Sequence, residues 1–209
     1  MGYETAPFDE QQNIILNTFK SANEIFDFCK HIAFSDSDID ERAKGDYPGY
    51  LLVGARTCNP GTESYLNSPT FMYEFRGYMY LGALPSCSAN EISFNEDALV
   101  LKLRNNFNMS YAKFHKIAIL PPKISSCGLL ESDYIDSIPF GIFEDPDSGL
   151  IFSFNGRRKY VNELFLLTLL VNNSVISELE AVHIAQVHRN KLFLNHIDEI
   201  VNYQNKRLK

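Results

Sequence analysis

Three groups of residues occur in an order that could support transfer chemistry on a phosphorylated sugar. Arg76 lies within Phe75-Arg76-Gly77, Ser125-Ser126 follow, and Glu178-Leu179-Glu180 come last, with about fifty residues between successive groups. A guanidinium presents a planar fork that matches phosphate through two parallel hydrogen bonds. A carboxylate beside a developing oxocarbenium stabilises the positive charge of the transition state. A plainer account needs no chemistry, because acids in the first turn of a helix favour its positive end and this alone explains Glu178 and Glu180.

In order and general spacing the set resembles mono-ADP-ribosyltransferases of the Arg, Ser-x-Ser and Glu-x-Glu type. The resemblance implies that Arg76 would hold the pyrophosphate of NAD and Ser125 would support the pocket. It also implies that Glu180, the second glutamate of Glu178-x-Glu180, would stabilise the ribosyl cation. Ser125-Ser126 stands where the family carries Ser/Thr-x-Ser, and Glu178 falls where this chain reads as the start of a helix rather than a strand. Outside that resemblance no cofactor is expected.

Other constellations are weaker. Asp36-Ser37-Asp38-Ile39-Asp40 alternates oxygen ligands as a calcium loop does, but Glu41 replaces the sixth-position glycine and Tyr47 the twelfth-position glutamate. A solvated acidic loop is the better reading, and no metal is expected. His183 and His188 would sit about 140° apart on a helix, which does not suit a shared metal. They read as structural or surface histidines. His31, His115 and His196 have no acid or cysteine at ligand spacing. A thiol nucleophile could be built from Cys58 or Cys127 with His115 as base and Asp133 or Asp136 to orient it, Cys58 being favoured by an expected exposed turn. Buried, inert thiols are the commoner state of such cysteines. The four cysteines, at 29, 58, 87 and 127, form no Cys-x-x-Cys pair, so neither a zinc knuckle nor a redox pair is supported. Phosphate loops, dinucleotide fingerprints, nucleophile elbows and His-Glu-x-x-His are absent from the sequence.

The net charge of −7 is unevenly spread. Residues 1–97 carry 15 acids against 6 bases, a net of −9, which favours a basic partner and disfavours nucleic acid. Residues 98–130 hold Lys102, Arg104, Lys113, Lys116 and Lys123 and no acid. Phe107, Tyr111 and Phe114 among these bases would suit single-stranded nucleic acid, but strands with one aromatic and one solvated face give the same string.

The elements that must position these residues are expected as follows. Ile15, Phe19, Ala22, Phe26, Cys29 and Ala33 repeat at alternating spacings of four and three, predicting an amphipathic helix over about 9–34. Asp9 is its expected N-cap, with Gln12 completing a capping box. A sheet region follows over about 48–160. Its strands are expected at 50–53, ended by a Cys58-Asn59-Pro60-Gly61 turn, at 70–84 as one strand or a pair broken at Gly77, at 98–103 and at 114–120. A hairpin is expected from 138–143 and 150–154 about the Asp145–Gly149 turn, with a second turn at Asn155-Gly156. Residues 161–171 are apolar on every side and fit a buried helix or a central strand. Helices are expected at 177–189 and 195–206, within a helical C-terminal part over 161–206.

The order of helix, strands, then helices predicts a single α+β domain over 1–209, with a predominantly antiparallel central sheet. No signal peptide or membrane span is read, and Ala6 breaks the myristoylation pattern, so a reducing cytoplasm is expected. The functional expectation is an acidic protein-binding module, an immunity or neutralising protein for a basic toxin or effector. Asp36, Asp38, Asp40 and Glu41 are its candidate contacts. The alternative is a small NAD-dependent transferase using Arg76, Ser125, Glu178 and Glu180.

Overall fold

The 3.6-residue repeat of the first segment forms helix α1 (Phe8–Ser35) in a computed structural model that describes residues 8–35, 49–63, 69–82, 141–145, 147–156 and 159–207. The expected stripe is buried at Ile15, Ala22, Phe26, Cys29 and Ala33, with Phe19 partly so. Ile25 and Ile32 widen it. The helix begins at Phe8, one residue ahead of the expected cap, so Asp9 lies in the first turn beside Glu10. There both acids still meet the positive end of the helix.

Among the described residues four strands follow in the order β2-β1-β4-β3, every neighbouring pair antiparallel: β1 (Gly49–Glu63), β2 (Pro69–Leu81), β3 (Ile142–Glu144) and β4 (Leu150–Asn155). The fold is α+β, as the element order predicts. The expected turn at Cys58–Gly61 is absent, because β1 continues to Glu63. Its pairing with β2 instead shifts register between Cys58 and Glu63. β2 is one strand across Gly77. Val53 faces Gly77 and Gly54 faces Phe75, leaving Arg76 as the extra residue of a bulge. A Cβ at Gly77 would stand 3.1 Å from the Phe19 ring of α1, a tight contact to which the ring would have to yield.

Leu51, Val53 and Ala55 of β1 and Leu150, Phe152 and Phe154 of β4 alternate onto the face that joins the main core. Across that face lies α2 (Lys159–Asn172), buried at every position from Val161 to Asn172. The apolar run is therefore a helix. It is enclosed by α1, by β3 and β4, and by three further helices: α3 (Glu178–Val187), α4 (Lys191–Asn195) and α5 (Ile197–Arg207). A helix apolar all round is stable only when surrounded in this way. Phe26, Phe154 and Phe165 join α1, β4 and α2, their ring centroids 4.5 to 6.0 Å apart. The ring of Tyr203 stacks on Phe28 at 4.2 Å and docks α5 against α1. On the opposite sheet face Leu52, Ile151 and Ser153 are also buried. Tyr50 meets Tyr78 and Tyr80 at that face's margin, where Tyr78 is exposed.

Candidate functional site

The β3–β4 hairpin is built on Asp145. Its backbone N–H donates to Leu150 O, and its carbonyl accepts from Gly149 N. The Asp145 carboxylate accepts from Asp147 N, Ser148 N and the Ser148 hydroxyl. Gly149, at φ 70°, supplies the left-handed residue that returns the chain. Gln11, in the second turn of α1, donates to Ser148 O at 2.7 Å and ties the start of α1 to this turn.

Helix α3 begins at the same junction. Ser177 is its N-cap, the hydroxyl accepting from Glu180 N at 3.1 Å, while the Glu180 carboxylate takes a hydrogen bond from the Ser177 backbone. Ser177-Glu178-Leu179-Glu180 is thus a capping box. The sequence carried that signal, in the Ser-x-x-Glu spacing, and our reading of it passed over the serine. Burial pushes the Glu180 carboxyl above its ordinary range, and the charges of Asp145 and Asp147 push it further, against the Ser177 bond. Burial also raises Asp145, with Asp147 adding to it and the hydrogen bonds from Ser148 and the backbone opposing. Asp147 and Glu178 are exposed, and Leu179 between the two glutamates is 80% exposed.

Arg76 reaches the same end from the sheet. Its guanidinium carbon stands 5.0 Å from the centre of the Phe8 ring, at the first residue of α1. Arg76 and Glu180 are therefore linked through Phe8, Gln11, Ser148 and Asp145. Glu178 and Glu180, on a helix rather than a strand, project about 160° apart around its axis. Ser125 lies outside the described residues, as do Asp36, Asp38, Asp40 and Glu41, the thiol-site candidates Cys127, His115, Asp133 and Asp136, and the strands expected at 98–103 and 114–120. Cys58 lies in β1 opposite Phe71, which removes the turn that favoured it as a nucleophile. Cys29 is fully buried and its thiol is pushed up to about 12, the state of an inert core thiol.

A second polar cluster went unread. Glu163, 2% exposed in α2, accepts from His188 Nδ1, and its other oxygen accepts from Asn190 Nδ2 at 3.0 Å. Asn190 also donates to Tyr160 O at 3.1 Å and caps α4 by accepting from Phe193 N. Of the two readings left open for it, structural or surface, His188 takes the structural one. His196, read as having no acid partner, meets Glu199 at 3.0 Å one helical turn away. Among the described residues no group of three or more His, Cys, Asp or Glu side chains could hold a metal ion, and no helix is long and apolar enough to cross a membrane. Comparison with family models, with characterised proteins and with solved structures finds no match to this chain.

Proposed function

We propose that the protein is a non-catalytic binding module that engages a basic protein partner through the end of the molecule where α1, the β3–β4 turn and α3 meet. The observation that carries this is the gathering of like charge from three elements. Asp9 and Glu10 stand in the first turn of α1, whose Gln11 bonds the β3–β4 turn, Asp145 and Asp147 stand in that turn, and both face Glu180 of α3, where Leu179 is exposed between Glu178 and Glu180. Two of these carboxyls, Asp145 and Glu180, are held above their ordinary range, chiefly by burial and in smaller part by their acidic neighbours, and an approaching cation would favour their charged forms. An exposed leucine flanked by two glutamates suits a partner that presents an apolar contact beside basic groups. Neutralisation of a basic toxin or effector is the form of this reading that the acidic first half of the sequence favours.

A lysine-rich amphipathic peptide, titrated against the protein at rising salt, tests the proposal. Binding should weaken and association slow as ionic strength rises. The combined Asp147→Lys, Glu178→Lys variant should bind at least about tenfold more weakly, a loss of about 1.4 kcal/mol. Leu179→Ser should weaken binding while leaving stability within about 0.5 kcal/mol. Salt-independent binding, or equal affinity in the charge-reversed variant, would overturn the reading.

The transferase reading on NAD draws less support. The linkage of Arg76 to Glu180 through the start of α1 speaks for it, whereas the capping box gives Glu180 a complete structural role. A Glu180→Ala variant and the wild type that neither bind NAD nor hydrolyse it would end it.

A further inference from the structure

We draw no further inference here: the strongest candidate, the buried Glu163–His188–Asn190 side-chain cluster between α2 and the α3–α4 turn, has both carboxylate oxygens taken up by donors of the fold itself and nothing in the structure points to a ligand for it.

Discussion

Two buried carboxylates, each at a junction between elements, are handled in opposite ways. Glu163 is met by an imidazole and an amide, so its oxygens are closed by donors from one compact turn. Asp145 is met only by a hydroxyl and backbone N–H groups, and its charged neighbours Asp147 and Glu180 are acids like itself. A carboxylate satisfied by an ionisable base is finished chemistry and serves packing. One satisfied by neutral donors beside like charges keeps its negative field directed outward, which favours the approach of a cation. The contrast separates the part of the molecule that holds the helices together from the part proposed to meet a partner.

The largest expected effect breaks the first of these sites. His188→Ala leaves the Glu163 carboxylate buried without its imidazole, at an expected cost of about 3 to 5 kcal/mol in urea unfolding. Glu163→Ala combined with His188→Ala should cost less than the two single changes added together, the sign of direct coupling. Strict additivity would show that the pair stabilises nothing. At the second site Asp145→Ala removes the acceptor of three hydrogen bonds, for an expected loss of about 1 to 3 kcal/mol by the same measurement. Similar losses at the two positions would erase the distinction drawn between them.

Titration sharpens it. A carboxyl whose folded-state pKa is raised keeps its proton at pH values where the unfolded chain has lost it. Its stabilising contribution is complete below the unfolded value and is lost as the pH rises through the folded one. Asp145 and Glu180 are both raised. Stability should therefore fall with rising pH from the ordinary carboxylate range up to their shifted values. Asp145→Asn and Glu180→Gln should each flatten that slope in urea midpoints measured across the window, and an unchanged slope in both would contradict the burial that raises these two carboxyls.

What the sequence disclosed follows from how local each signal is. The stripe from Ile15 to Ala33 needs only its own periodicity, and the hairpin about Asp145-Pro146-Asp147-Ser148-Gly149 needs only turn chemistry. Both appear in the structure. The helical state of 161–171 was not readable, because only enclosure by α1, the sheet and three helices decides it. Cys58-Asn59-Pro60-Gly61 carried a strong turn signature, yet pairing with β2 carries β1 through it with a register shift. Glu163, His188 and Asn190 are separated by 25 and 27 residues along the chain from their partners, so no local pattern announces them. At the candidate site the Ser177–Glu180 box was legible, while its approach to Asp145 and Asp147 is a product of tertiary packing alone.

The ends of α2 and α3 show the same limit, and they carry the smallest expected effect. Both helices stop in a Schellman motif. After α2, Ser174 N donates to Val171 O and Val175 N to Leu170 O. After α3, Arg189 N donates to Gln186 O and Asn190 N to Ala185 O. The residue in the left-handed conformation is Ser174 in one and Arg189 in the other, at φ 56° and 54°, where glycine is the usual occupant. The segments expected over 161–171 and 177–189 end close to these stops without that glycine, while α4 and its cap at Asn190 were not foreseen. A non-glycine residue in this conformation costs about 1 to 2 kcal/mol, and glycine returns part of that gain through the greater freedom of the unfolded chain. Both side chains are exposed. Ser174→Gly and Arg189→Gly should therefore each stabilise the protein by about 0.5 to 1 kcal/mol, and the two should add. Arg189 sits between His188 and Asn190, so it reports on the closed carboxylate site as well. If Arg189→Gly destabilises where Ser174→Gly stabilises, the arginine supports the Glu163 cluster, and that cluster extends beyond the two donors that close it.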